Sequence, residues 1–154
     1  MSQYIATVVW TRAPDAPFKD NKYSRAHEWR FDGGAVVKGS SAPSSVRVPM
    51  SDPTAVDPEE ALVAALSSCH MLFFLSFAAS AGFVIDRYED DAVGEMGKNA
   101  NGKTAMVKVT LRPKITWSGA PPSAEQLHEL HHKSHDHCYI ANSVSAQVLV
   151  EERA

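Results

Sequence analysis

Asp57-Pro58-Glu59-Glu60-Ala61-Leu62-Val63-Ala64-Ala65-Leu66-Ser67-Ser68-Cys69-His70-Met71-Leu72-Phe73-Phe74-Leu75 is the stretch that decides how this chain folds. Asp57 is a capping residue, and Pro58 suits the first helical position. Glu59 and Glu60 face the positive end of the helix dipole. Few helix breakers follow until Gly82, so the pattern predicts one helix of roughly six or seven turns. It is apolar on most faces, the mark of a buried central helix. Length alone would let Ala61 to Val84 cross a bilayer. Ser67, Ser68, Cys69, His70, Ser76 and Ser80 make one face too polar for lipid to be its solvent.

Upstream of the helix, residues 3 to 10 alternate as a strand does. Pro14, Pro17, Asp20 and Asn21 mark Ala13 to Lys22 as a loop, and a second short strand is predicted over Ser24 to Phe31. Asp32-Gly33-Gly34 is a turn signal that sends Ala35 to Lys38 back as the other arm of a hairpin. Gly39 to Pro53 is rich in Ser and Pro and reads as a surface connection. Downstream, Phe83 to Met96 has strand character, Lys98 to Lys103 is a hairpin turn, and Thr104 to Trp117 alternates with Val107, Val109 and Leu111 on one side. Pro121-Pro122-Ser123 announces a second helix to about His137, and Asn142 to Glu151 is a final strand.

Strands, long helix, strands, helix, strand is an α+β order, with helices stacked on antiparallel sheet. A helix apolar nearly all round needs cover on two sides, which a homodimer enclosing two such helices between two sheets would supply. The chain of 154 residues fits a single domain over 1–154. Its 44% hydrophobic and 21% charged residues are ordinary for a soluble globular protein. A formal net charge of −3 offers no footprint for nucleic acid or an anionic membrane. The N-terminus lacks the basic start and cleavage site of a signal peptide, so a cytoplasmic setting is expected, where thiols stay reduced unless chemistry oxidises them.

The two cysteines, Cys69 and Cys138, are too few for a disulfide scaffold and suit a nucleophile with a resolving partner. Cys69 is expected buried mid-helix, either as a small hydrophobe or as a nucleophile whose thiolate some cation must stabilise. Arg12, Arg25, Arg30, Arg47, Arg87 and His70 are the candidate cations. Glu59 precedes Cys69 by ten residues. That is about 15 Å of rise and roughly 280° of rotation, so the two cannot touch along one helix. Glu59 is either a dipole-complementing first-turn acid, a contribution from a second subunit, or a group acting on the Cys69 site through an intervening long side chain. Leu127, Leu130, Ser134 and Cys138 share a stripe of the second helix, so Cys138 should turn inward, towards the long helix and Cys69. His128, His131 or His132, and His135 share a face at metal-ligand spacing. That face lies opposite the apolar stripe, zinc signatures such as H-E-x-x-H are missing, and a solvated surface is expected with no metal.

Asp57 to Cys69 resembles the N-P-E-x-L-x-x-A-x-x-x-C signature of the OsmC/Ohr family, the osmotically inducible and organic hydroperoxide resistance proteins. His135-Asp136-His137-Cys138-Tyr139-Ile140-Ala141-Asn142-Ser143 resembles the family's A-H-x-x-C-P-x-S-N segment, and the two anchors lie at the family's separation. Asp57 stands where the family has Asn, Tyr139 where Pro is common, and His70 where an aromatic is frequent. The resemblance implies the OsmC-like fold as an intertwined homodimer with its site at the subunit interface. It implies a thiol-dependent peroxidase without cofactor, reducing organic hydroperoxides through a Cys69 sulfenic acid and a Cys69–Cys138 disulfide. A dithiol such as a lipoyl group would recycle it. Glu59 falls on the family's glutamate and Arg25, ahead of the Asp32-Gly33 turn, on its arginine, with Arg30 as the alternative. Met71, Phe73 and Phe74 could favour organic over hydrogen peroxide. A non-catalytic protein that keeps the fold and binds a small molecule is the alternative function.

Overall fold

The computed structural model describes residues 1–152. It comprises two compact units, Met1–Ala61 and a second from Leu62 onward. The first holds an antiparallel meander of β1 (Ala6–Val9), β2 (His27–Phe31) and β3 (Val36–Gly39). Trp29 sits opposite Val8 on one side and Val37 on the other. The hairpin turn is where the Asp-Gly-Gly signal puts it: Gly34 has φ +86°, and its N–H donates to the Phe31 carbonyl at 3.0 Å. The strands are shorter than the alternation over 3–10 and 24–31 suggests. Trp10 leaves β1 to pack edge-on to Tyr23, and its indole N–H donates to the Ser24 carbonyl at 2.8 Å. Phe18 stacks on Tyr23 in the same small cluster, which anchors the loop between β1 and β2.

Helix α1 spans Pro58–Ser80. Asp57 caps it by accepting the Glu60 N–H at 2.8 Å, and the Glu60 carboxylate reaches back to the Asp57 N–H at 3.3 Å, a reciprocal capping box. At the other end Gly82 is left-handed at φ +84°. The Phe83 N–H reaches the Ala78 carbonyl and the Gly82 N–H the Ala79 carbonyl, each at 3.0 Å, which is the Schellman arrangement that satisfies the last carbonyls. Only Leu66, His70, Phe74 and Ala78 are fully buried. Within this chain the expected all-round burial reduces to one stripe.

The second unit departs from the sequence pattern at its strands. Phe83 to Met96 divides into β4 (Val84–Asp90) and β5 (Val93–Lys98), and Thr104 to Trp117 into β6 (Thr104–Leu111) and β7 (Pro113–Ser118). The halves belong to different sheets: β4 pairs with β7, while β5, β6 and β8 (Gln147–Val150) form the other. Asp90 sits at the crossover. Its carboxylate accepts the Arg112 N–H at 2.6 Å and the Ser67 hydroxyl of α1 at 2.5 Å, which lets both strands change sheet without stranding a buried N–H. Asn142 to Glu151 is likewise not one strand. Asn142 donates through Nδ2 to the Asp136 and Cys138 carbonyls at 2.9 and 3.1 Å, so a short 3-10 turn (Ala141–Ser143) precedes β8. β8 then adds to β6 in parallel.

Helix α2 runs Ala124–His137, opened by a capping box between Ser123 and Gln126. The core lies in two clusters along α1. Leu66 meets Val109 and Leu111 of β6, with Val148 and Val150 of β8 around them; Phe74 and Ala78 meet Leu130 of α2, ringed by Ile85, Tyr88, Ile115 and Trp117. Replacing Leu66, which is 0% exposed, by Ala should cost about 2–5 kcal/mol by leaving a cavity under β6. Urea unfolding checks this, read as a lower midpoint at unchanged slope.

Candidate functional site: a thiol pair and a histidine pair between α1 and α2

Cys69 is half-buried on the middle of α1, and Cys138 is fully buried as the C-cap of α2; both are free thiols. The inward stripe of α2 brings them together, near enough for the Cys69 thiol to act on Cys138. Sγ of Cys138 accepts the Ala141 N–H at 3.3 Å, because the chain turns into the 3-10 segment there. Burial pushes the Cys138 thiol up to about 11 and the Cys69 thiol adds to the rise, while the backbone N–H of Ala141 pulls the other way. Cys138 is therefore a protonated thiol throughout the neutral range.

Arg25 and Glu59 fall in the first unit. The Arg25 guanidinium is folded over its own loop, 3.7 Å above the Tyr23 ring centre, donating to the Tyr23 carbonyl and, at 2.8 Å, to Oδ1 of Asn21. Arg30 pairs with Glu28 through two bonds of 2.8 and 3.1 Å on the exposed face of β2. Glu59 stands in the first turn of α1 beside the cap.

The histidines divide differently from the sequence expectation. His128 and His132 are exposed and stack with each other, as a solvated face would. His131, assigned to that face from its spacing, is instead 2% exposed. The full helical stripe runs 127, 130, 131, 134 and 138, so His131 shares the core face with Leu130 and Ser134. Its Nδ1 lies 3.1 Å from Nε2 of His70, and its ring stacks on Phe74 at 4.4 Å. His70 in turn sits four residues after Leu66 and four before Phe74 on the buried stripe of α1. Those steps of four were the signal that would have found it. Among the described residues no three His, Cys, Asp or Glu side chains converge as metal ligands.

Burial holds both imidazoles neutral. His70 is lowered to about 4, helped by His135, and His131 to about 3, helped by His70 and His128. The unfolded chain would protonate these rings from about pH 6.5 downward. The folded state then binds fewer protons across that window, and stability falls with pH. This contribution is complete above about pH 6.5 and shrinks as pH falls towards 4 and 3. The other ionisable groups facing the pair are His128 and His135 of α2, with Tyr88 of β4 across Phe74. The thermal midpoint should drop between pH 6.5 and 4, and the drop should be shallower in a His70→Leu/His131→Phe double variant, as calorimetry at several pH values will show.

Set against known proteins, residues 51–153 match the model of the OsmC-like protein family. This chain belongs to that family. A solved OsmC-like protein of unknown function from Vibrio cholerae O1 biovar eltor is 51% identical, with a TM-score of 0.96 over 98% of this chain and 99% of that one. The organic hydroperoxide resistance protein OhrB of Bacillus subtilis shares the fold at 19% identity and a TM-score of 0.67, over 97% of this chain and 98% of its own. An organic hydroperoxide resistance protein from Elizabethkingia anophelis does so at 17% and 0.66, over 97% and 94%. No curated protein matches the sequence. By length and composition α1 is apolar enough to cross a membrane, yet it packs as the core helix of this fold.

Proposed function

We propose that this protein is a thiol-dependent peroxidase that reduces organic hydroperoxides to alcohols. The observation that carries the reading is the contact between Cys69 and Cys138 across α1 and α2, in a family whose fold neighbours include organic hydroperoxide resistance proteins. The Cys69 thiolate attacks the distal oxygen, the O–O bond breaks, and the departing alkoxide takes a proton to become the alcohol. Cys69 is left as a sulfenic acid. The Cys138 thiol then attacks the Cys69 sulfur, giving up its proton as the sulfenic oxygen leaves as water, and a disulfide remains. A dithiol of the lipoyl type restores both thiols by exchange.

Exposure fits this division of labour. The half-buried Cys69 meets substrate, while the fully buried Cys138 is shielded from it and reacts only with its neighbour. Arg25 is the cation assigned to hold the Cys69 thiolate, with Glu59 fixing the guanidinium fork. Three of its five N–H donors are engaged by Asn21 and Tyr23, which leaves donors for a peroxide oxygen. A reducing cytoplasm suits two free thiols that chemistry, rather than the compartment, oxidises. Consumption of cumene hydroperoxide with a dithiol donor tests the assignment. Wild-type protein should turn over, Cys69→Ser should fall to background, and Cys138→Ser should accumulate sulfenic acid at Cys69. Equal activity in wild type and Cys69→Ser would sink it.

A non-catalytic binding role is the second reading, favoured by a cavity of about 280 Å³ between α1 and α2 lined by Phe77, Phe83, Leu130, Gln126, Glu129 and Lys133. No peroxide-dependent disulfide should form if it is right. The proposed protein works as a homodimer, supported by the half of α1 that its own chain leaves open: Leu72, mid-helix, is 63% exposed. Sedimentation equilibrium at micromolar concentration should give twice the chain mass, and Leu72→Glu should shift it towards the monomer. A wild-type monomer would remove the dimer from the proposal.

A further inference from the structure

His70 and His131 take no part in the thiol chemistry above, although a buried imidazole is costly unless it is hydrogen-bonded. Each neighbours a cysteine along its helix. His70 follows Cys69 on α1, and His131 lies seven residues, about two turns, before Cys138 on α2. The two helices therefore meet through two polar rungs, imidazole to imidazole and thiol to thiol. The other α1–α2 contacts are apolar packing among groups such as Phe74, Ala78 and Leu130, with Lys133 over the Phe77 ring and His137 against Phe73 and Phe77 nearer the surface; apolar burial is non-directional, so it tolerates sliding and rotation. A hydrogen bond does not.

We propose that the His70–His131 hydrogen bond is a positioning device for the cysteine pair, fixing α2 against α1 so that Sγ of Cys138 is presented to Sγ of Cys69. The direction of the bond follows from what is left over. Among the described residues Nδ1 of His70 is buried with no partner, and a stranded N–H is rarer in proteins than an under-used acceptor. His70 thus carries its proton on Nε2 and donates it to Nδ1 of His131, whose own proton is on Nε2. Phe74 stacked on His131 and the near-parallel His70 ring at 13° resist a flip of either ring. Held this way, the thiols react as neighbours rather than as two groups on sliding helices.

The test needs no peroxide, so it separates this proposal from the peroxidase reading. In a glutathione redox buffer, glutathione disulfide takes two electrons and two protons from Cys69 and Cys138, leaving the protein disulfide and two glutathione thiols. His131→Phe keeps a ring against Phe74 but has no acceptor. It should lower the equilibrium constant for disulfide formation about tenfold, which is about 30 mV for a two-electron couple. His131→Asn, whose Oδ1 takes the place of Nδ1, and His70→Gln, whose amide takes the place of Nε2, should restore values close to wild type.

A His131→Phe protein with the wild-type midpoint, or a His131→Asn protein as impaired as His131→Phe, overturns the proposal. Nitrogen-15 NMR of the unmodified protein gives a readout that does not depend on any variant folding. Both rings should be neutral and protonated on Nε2, and a His70 protonated on Nδ1 overturns it. A wild-type disulfide formed with glutathione but not with hydroperoxide would defeat the peroxidase reading and leave the positioning role standing. No disulfide at any glutathione ratio would end both.

Discussion

The stripe formed by Leu66, His70, Phe74 and Ala78, four apart on α1, is the surface on which the second unit is assembled. Its N-terminal end takes the β5–β6–β8 sheet and its C-terminal end takes β4–β7 together with α2. Because each end serves a different sheet, β4 and β5, and likewise β6 and β7, must part at the middle. Asp90 stitches that break to α1 through Ser67. His70 is the one polar member of the stripe, and burial there obliges it to find a partner. His131 supplies the bond, and the α1–α2 contact acquires a direction as well as an area.

The cysteines inherit their environments from the same arrangement. Cys138 closes α2 where the chain turns sharply into the 3-10 segment, so its sulfur is enclosed and held as a thiol. Cys69, one step round α1 from the buried stripe, stays half-open. Two thiols in contact but unequally exposed are what a peroxide-reacting cysteine and a resolving cysteine require. The proposed chemistry needs no further asymmetry from the second unit.

Much of this was legible in the residues. The Asp57–Glu60 start, the Gly82 stop, the Asp-Gly-Gly hairpin and the Ser123 cap are local signals, satisfied by atoms a few residues away, and they appear where the sequence puts them. The inward stripe of α2 that ends in Cys138 was also readable. The stripe is wider than that, however: the steps of three and four that group His131 with His128 and His135 also place it beside Leu130, and burial decides for the core face. The unbroken strands expected over 83–96, 104–117 and 142–151 failed for a different reason. Alternation reports which face a residue takes, and says nothing of which sheet the strand joins.

By itself, then, the sequence determined the two helices with their caps, the N-terminal hairpin and the family signature around Cys69 and Cys138, since each depends on short-range sterics and hydrogen bonding. Only the tertiary structure decided that the strands change sheet at Asp90, that Cys138 rather than Cys69 is the enclosed thiol, and that His70 and His131 are a bonded pair. Those outcomes are set by burial and by long-range partners, and desolvation acts only once the chain has closed around a group.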